Sequence, residues 1–144
     1  MRHDIKFHTS IEPQPGPIEI DQDWLRTALV NLLENAIDAC VSDPSKKEHR
    51  IDFTISAGDA DHICFVIEDN GLGMDQETRE KMFTLFFSSK GSKGTGLGLF
   101  ISNHVISQHG GTIVVKSEIK HGSRFEICIP RTKTFNKQIH QENK

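Results

Sequence analysis

The stretch "NLLENAIDA", residues 31–39, combines an apolar stripe with a polar flank. From Leu25 to Cys40, apolar residues recur at intervals of three and four, which is the period of an amphipathic helix. Asp21 can cap the start of this helix, and "SDP" at 42–44 interrupts the pattern. The sequence therefore predicts a long helix that packs one face against a core.

Three polar residues of this helix, Asn31, Asn35 and Asp38, are spaced four and three apart and share a face beside the apolar stripe. Such residues commonly cover a solvated surface. Asparagine is a mediocre helix former, however, and Lys or Glu would serve a merely solvated face better. Carboxamide oxygens are hard, neutral ligands that suit a magnesium ion already carrying phosphate oxygens. The pattern therefore favours a functional role for this face.

Two further helices and six or seven strands are predicted around the first helix. A short helix covers about 75–82, and another leaves the glycine-rich stretch at 94–98 and ends at "HGG", 109–111, as at a glycine C-cap. Because hairpins predominate, the predicted fold class is α+β, a two-layer α/β sandwich with about three helices on one face of a mixed, mostly antiparallel sheet. The clearest strands cover 5–11, 18–20, 51–55, 62–68, 112–118 and 124–129.

The composition favours one compact domain. The 144 residues are 35% hydrophobic and 26% charged, enough for a genuine core over residues 1–131, with 132–144 as a polar tail. A net charge of -3 argues against nucleic acid as the main partner. The longest apolar runs are strand-sized, so we expect no membrane contact by this domain and a cytoplasmic location.

The three cysteines lie among apolar residues. Cys40, Cys64 and Cys128 are odd in number and form no CxxC pair. In a reducing cytosol we therefore expect buried free thiols rather than a disulfide or a zinc site.

A glycine-bearing stretch, "DNGLGM" at 69–74, follows the apolar strand at 62–68. Gly71 and Gly73 would let the backbone pass close to a planar ligand. The carboxylate of Asp69 could accept a hydrogen bond from an amino group such as that of adenine. Taken alone, however, Asp-Asn-Gly is first of all a turn signal.

A second glycine-rich stretch, "GSKGTGLGLF" at 91–100, matches neither familiar phosphate loop. The P-loop pattern would need a lysine at Leu97, and the dinucleotide pattern would need a glycine at Leu99. Lys90 and Lys93 could nevertheless close over a triphosphate. The alternating glycines would let backbone N–H groups approach phosphates at the start of the next helix; they are Gly94, Gly96 and Gly98.

Together these residues resemble the ATP-binding catalytic domain of two-component sensor histidine kinases, within the wider group shared with gyrase B, the Hsp90 chaperones and MutL. The resemblance covers about 18–130, and five motifs in order make it specific. The motifs are "NLLENAIDA" (N box), "DNGLGM" (first glycine box), "LFFSSK" at 85–90 (F box), "GTGLGL" at 94–99 (second glycine box) and "GSRFEICIP" at 122–130 (closing strand).

The resemblance implies roles for individual residues. Asn35 would be the magnesium ligand, with Asn31 supporting it or contacting phosphate, while Asp69 would bind the adenine amino group near the hydroxyl of Ser123. The implied catalytic residues are Asn31, Asn35 and Lys90. The implied nucleotide-binding residues are Asn35, Asp38, Ala39, Asp69, Gly71, Gly73, Met74, Phe87, Lys93, Gly94, Thr95, Gly96, Leu97, Gly98 and Ser123.

The implied activity is transfer of the γ-phosphoryl group of Mg-ATP to a histidine on a separate dimerisation domain of the same kinase, and indirectly to a response regulator. ATP-hydrolysing relatives typically carry a glutamate where this chain has Asn31, so we expect poor hydrolysis. No histidine here lies in a segment that resembles the phosphoacceptor helix of the family, so we expect the acceptor histidine outside this chain. The sequence does not decide whether the full-length protein is anchored in a membrane. Two alternatives share the fold: an anti-sigma-factor serine kinase and a non-catalytic ATP-binding module.

Overall fold

The computed structural model describes residues 4–12, 21–83 and 98–131, which form three helices and a five-stranded sheet. The elements are β1 (Asp4–Ile11), α1 (Gln22–Val41), β2 (Glu48–Asp59), β3 (His62–Asp69), α2 (Gln76–Lys81), α3 (Gly98–Gln108), β4 (Thr112–Glu118) and β5 (Gly122–Pro130). The strand order is β1-β2-β3-β5-β4, with β1 parallel to β2 and the other pairs antiparallel. The predicted α+β sandwich with a mixed, mostly antiparallel sheet is confirmed.

Helix α1 begins and ends as its sequence predicts. The side chain of Asp21 accepts hydrogen bonds from the N–H groups of Asp23 (3.0 Å) and Trp24 (3.2 Å), which are unpaired at a helix start. The small side chain of Ala28 lets α3 approach closely, and the Ser102 hydroxyl donates to the Ala28 carbonyl at 3.3 Å. The fully buried face repeats every four residues, at Ala28, Leu32, Ala36 and Cys40.

Two adjacent interior strands of the sheet, β3 and β5, supply most of the sheet residues of the core. Their buried apolar residues alternate with residues on the other face of the sheet, as the two-residue period of a strand requires. Asp69 follows Ile67 by two positions and Ser123 precedes Phe125 by two, so both polar residues take the inward direction of the core residues. Strand period therefore forces a carboxylate and a hydroxyl to face the helix layer.

A buried hydrogen-bonded pair of side chains fixes the return of the chain from α1 to β2. His49 Nε2 lies 3.0 Å from Asp43 Oδ2, and the Ser45 hydroxyl donates to Asp43 Oδ1 at 2.6 Å. Burial opposes ionisation of Asp43, but the hydrogen bonds from Ser45 and His49 outweigh it and lower its pKa to about 2. The end of α1 is thereby tied to the first residues of β2.

The expectation of three free thiols is wrong for two of the cysteines. Cys64 on β3 and Cys128 on β5 are register partners with their Cα atoms 4.2 Å apart, and their sulfur atoms form a disulfide. The cysteines are 64 residues apart in sequence, and their pairing follows from a strand register that the composition does not reveal. Cys40 is the free, buried thiol of the described residues, and burial, with the carboxylates of Asp69 and Asp43, raises its pKa to about 12.

Two predicted segments, the strand at 18–20 and the tail at 132–144, lie outside the described residues. In residues 4–12, 21–83 and 98–131, none of the helices has both the length and the apolar character required to cross a membrane.

The disulfide predicts a thiol count. Protein purified without reductant and then denatured should react with a chromogenic disulfide reagent at one thiol per chain, which is Cys40. Cys40→Ser should give no reactive thiol, and prior reduction of the parent should release all three. Three reactive thiols in the unreduced parent would contradict the disulfide.

Candidate functional site

The end of β3 carries a buried carboxylate. Asp69 is only 4% exposed, and its side chain accepts a hydrogen bond from the Gly71 N–H at 2.9 Å. Burial raises the pKa of Asp69 to about 6, and the backbone hydrogen bonds from Gly71 and Ser123 offset only part of that effect. Asp69 is therefore mostly ionised at neutral pH, and its oxygens are strong acceptors at a position shielded from water.

The loop that follows, residues 69–74, is held against α1 on one side. The Leu72 N–H donates to the Ala39 carbonyl at 3.0 Å. A Cβ atom on Gly71 would lie 2.6 Å from the Ala39 carbonyl carbon, so only glycine allows this approach. Asn70 ties the same loop to β2, because its Oδ1 accepts from the Arg50 N–H at 2.8 Å.

The turn between β4 and β5 holds the loop on its other side. The Lys120 N–H donates to the Leu72 carbonyl at 2.8 Å. Gly73 has a φ of 72°, in the left-handed region, and a Cβ atom there would collide with the Glu118 carbonyl oxygen. The loop therefore lies between a helix end and a hairpin turn, and its backbone has little freedom to move.

A cluster of hydroxyl groups lies where the loop meets β4 and β5. Ser117 Oγ accepts from the Met74 N–H at 2.8 Å, lies 2.8 Å from Ser123 Oγ, and is 3.0 Å from the Gly122 carbonyl oxygen. The guanidinium of Arg79, on α2, donates to the Ser117 carbonyl at 3.1 Å. Ser123 is 5% exposed. The cluster thus joins the loop, the hairpin and α2.

Ser117 is not among the site residues predicted from the sequence. The alternation of β4 marks it as inward-facing, because it follows the partly buried residues Ile113 and Val115 by steps of two. A polar residue at the end of an inward-facing apolar series was the available signal. Its partners could not be named, since they depend on the register between β4 and β5.

The polar flank of α1 lies beside its buried face, as predicted. Asn31, Asn35 and Ala39 are half-buried, and Asp38 is exposed. Asn35 precedes Ala39 by four residues on one helix face, a rise of about 6 Å. Ala39 contacts the loop at Gly71 and Leu72, so it is the end of the flank nearest the loop. Asn35 and then Asn31 lie progressively farther from the loop along the helix. The structure thus brings two separate predicted motifs, the helix flank and the glycine loop, together at Ala39.

Several predicted site residues are not tested by the structure. Gly98 is the first residue of α3. Among the described residues, no group of three or more His, Cys, Asp or Glu side chains is arranged to hold a metal ion. The predicted residues that lie outside the described part of the chain are Phe87, Lys90, Lys93, Gly94, Thr95, Gly96 and Leu97.

An open groove of ≈ 810 Å³ lies at the end of the sheet that carries Asp69 and Ser123. Its wall continues onto charged residues such as Arg50, Lys116 and Arg124. Of the residues predicted to bind nucleotide, it includes Asp69 and Ser123 but not Asn35 on α1. The groove and the predicted nucleotide site therefore coincide only in part.

Comparison with known proteins gives a consistent match. Residues 20–133 match the family described as "Histidine kinase-, DNA gyrase B-, and HSP90-like ATPase". Sporulation kinase E of Bacillus subtilis (strain 168) is 34% identical over 114 residues, which cover 79% of this chain and 15% of that protein. The signal transduction histidine-protein kinase AtoS of Escherichia coli (strain K12) is 33% identical over 135 residues, which cover 94% of this chain and 21% of that protein.

Among solved structures, the chain is similar to the catalytic domain of histidine kinase ThkA in a nucleotide-free form. The TM-score is 0.75 at 28% identity, and the match covers 90% of this chain and 81% of that one. The chain thus spans 81% of this isolated domain but only about a fifth or less of the length of the two curated relatives.

The raised pKa of Asp69 predicts a pH dependence of stability. Between the unfolded value of 3.8 and the folded value of about 6, the folded protein binds more protons, so stability falls as pH rises. Relative to Asp69→Asn, the parent should lose about 1 kcal/mol of unfolding free energy between about pH 5 and about pH 7. Urea denaturation of both proteins measures this difference. A difference that is constant or rises with pH would contradict the assigned environment of Asp69.

Proposed function

The chain belongs to the histidine kinase-, DNA gyrase B-, and HSP90-like ATPase family, and we propose that it is the ATP-binding catalytic domain of a sensor histidine kinase. In this proposal residues 1–131 form the domain, and 132–144 form a polar tail. The domain binds Mg-ATP and donates the γ-phosphoryl group to a histidine on a separate dimerisation domain. The observation that carries the proposal is the buried acceptor Asp69 beside a glycine loop that is fixed against α1.

The base of the nucleotide would lie against the loop at 69–74. The Asp69 carboxylate only accepts hydrogen bonds at neutral pH, which suits the exocyclic amino group of adenine. The backbone at Gly71 and Gly73, with the side chain of Met74, would line the planar faces of the base. Because this loop is held on both sides, the acceptor is positioned before the ligand arrives, and little ordering is required on binding.

The flank of α1 suits the phosphates and their metal ion. Asn35 is half-buried on the face that leads to the loop contact at Ala39, and its carboxamide oxygen is a hard, neutral ligand. Asn31, one turn earlier, would support it or contact phosphate, and Asp38 and Ala39 complete this wall. When bound, Mg²⁺ would neutralise charge on the phosphate oxygens of ATP.

Transfer needs positioning more than a protein base. The bond between the γ-phosphorus and its bridging oxygen breaks, ADP leaves, and a histidine nitrogen of the partner domain forms the new bond. Asn31 provides no carboxylate to activate water, and Glu34 is exposed on another face of α1, so hydrolysis is disfavoured relative to transfer. The positive end of α3 at Gly98 suits the phosphates.

The remaining assigned roles stay predictions. Lys90 would act at the transferred phosphoryl group, and the segment between Phe87 and Gly96 would cover the phosphates. The phosphoacceptor histidine would lie on the dimerisation domain of the same full-length kinase, and a response regulator would receive the phosphoryl group from it. His49, one of eight histidines here, is unsuitable as an acceptor because it is buried against Asp43. We propose a cytoplasmic location, where the reducing environment would open the Cys64–Cys128 disulfide. We also propose that the domain makes no direct contact with nucleic acid or membrane.

The proposed function predicts phosphorylation of a supplied partner on histidine. The chain, radiolabelled Mg-ATP and a supplied histidine-bearing dimerisation domain of a sensor histidine kinase should give acid-labile, base-stable phosphate on that domain. Asn35→Ala should reduce the yield by about tenfold or more, the scale on which residues at metal sites act. Gln108→Ala, a carboxamide loss at the end of α3, should leave the yield unchanged.

Three outcomes would contradict this proposal. One is failure of the parent to bind Mg-ATP in calorimetry. Another is phosphate that appears only as an acid-stable ester on serine of an anti-sigma antagonist, which would favour the serine-kinase alternative. The third is binding of ATP with no transfer to any supplied partner, which would favour the non-catalytic module.

A further inference from the structure

The hydroxyl of Ser117 contacts three polar groups but has only one proton to donate. A serine hydroxyl donates one hydrogen bond and accepts two. Around Ser117 Oγ lie the Met74 N–H at 2.8 Å, the Gly122 carbonyl oxygen at 3.0 Å and Ser123 Oγ at 2.8 Å. The first group can only donate and the second can only accept, so only the contact with Ser123 has a direction to be decided.

One arrangement satisfies all three contacts at once. Ser117 gives its proton to the Gly122 carbonyl, and its two lone pairs accept from the Met74 N–H and from the Ser123 hydroxyl. In the reverse arrangement two oxygen atoms, Ser117 Oγ and the Gly122 carbonyl oxygen, would face each other at 3.0 Å with no proton between them. These contacts are partly buried, and an acceptor that loses its donor there costs free energy. The proton of Ser123 is thus directed at Ser117.

The consequence concerns what Ser123 offers to a ligand. With its proton committed to Ser117, Ser123 presents only lone pairs. Asp69 is the register partner of Ser123 on the neighbouring strand and is itself an acceptor. Two adjacent inward-facing groups at the end of the sheet therefore both accept hydrogen bonds.

We propose that Ser117 is a specificity-determining positioning residue, which makes Ser123 an acceptor and thereby favours 6-amino purines over 6-oxo purines. The inference rests on the proposed function, since it assumes that the base lies at Asp69 and Ser123. A 6-amino group offers two N–H donors to two acceptors. A 6-oxo purine could give its ring N1–H to Asp69, but its oxygen would then face the lone pairs of Ser123.

Removal of the Ser117 hydroxyl has two separable effects. The Met74 N–H loses its acceptor, which disturbs the loop and weakens every purine nucleotide alike. Ser123 also regains the freedom to donate, which helps only a base with an oxygen at position 6. A purely structural role for Ser117 would therefore lower both affinities together, whereas the proposed role changes their ratio.

The test measures the dissociation constants of Mg-ATP and Mg-ITP by calorimetry for the parent, Ser117→Ala, Ser123→Ala and the double variant. The parent should bind ATP more tightly than ITP. Ser117→Ala should lower the ratio of the ITP dissociation constant to the ATP dissociation constant by about three- to tenfold, the scale of one hydrogen bond. With Ser123→Ala as the background, Ser117→Ala should leave the ratio unchanged, because Ser117 acts through Ser123.

Further variants keep the test decisive. Ser117→Thr retains a hydroxyl and should restore the parental ratio. Ser117→Cys retains the shape with a weak acceptor, and should narrow the ratio even if Ser117→Ala does not fold. Thr112→Ala, on the exposed face of β4, is the matched control and should change nothing.

If folded Ser117→Ala or Ser117→Cys bound both nucleotides more weakly with an unchanged ratio of dissociation constants, the inference would be overturned. The proposal that the parent binds ATP would still stand. A change in ratio that persists in the Ser123→Ala background would also overturn it. A parent that binds neither nucleotide would overturn the proposed function itself, and this failure is distinguishable because it appears before any substitution is made.

Discussion

The constraint on which the site depends is the burial of the Asp69 carboxylate at the inward-facing end of a core strand. Strand alternation from Ile63 through Ile67 forces this side chain toward the helix layer, where an ionised group loses hydration. Hydrogen bonds from the backbone N–H groups of Gly71 and Ser123 replace part of the lost hydration. The pKa of Asp69 is nevertheless raised to about 6, because these bonds do not offset the whole effect of burial. A ligand that donates to the carboxylate would relieve it, so the site is unfavourable when empty and favourable when an amine is bound.

The geometry of the rest of the site follows from how the loop at 69–74 is held. On one side it contacts Ala39, and on the other it contacts the turn between β4 and β5 through Lys120. The first contact sets the distance between the loop and the α1 flank, where Asn35 lies one turn away. The second brings Ser117 and Ser123 to the base end. The loop, held on both sides, thus fixes the relative positions of the proposed base site, the proposed metal ligand and the serine hydroxyls, although these groups come from separate parts of the sequence.

Local patterns in the sequence predicted the elements but not their registers. The helix bounds followed from the period of α1, the cap at Asp21 and the glycines after α3, one of which, Gly110, has a φ of 74°. The Cys64–Cys128 bond and the Ser117–Ser123 contact depend instead on which residues of separate strands lie opposite each other. Such pairings are set by packing of the whole sheet, including an irregularity between Ala57 and Asp59, and no local pattern encodes them.

The proposed function requires a purine nucleotide to lie against the loop at 69–74, on the helix side of the sheet. Backbone amide shifts from nuclear magnetic resonance, recorded with and without Mg-ADP, measure this contact. The largest changes should occur at 71–74, with further changes at Ala39 and Ser123. Changes confined to Arg50, Lys116 and Arg124, along the charged part of the groove, would contradict it.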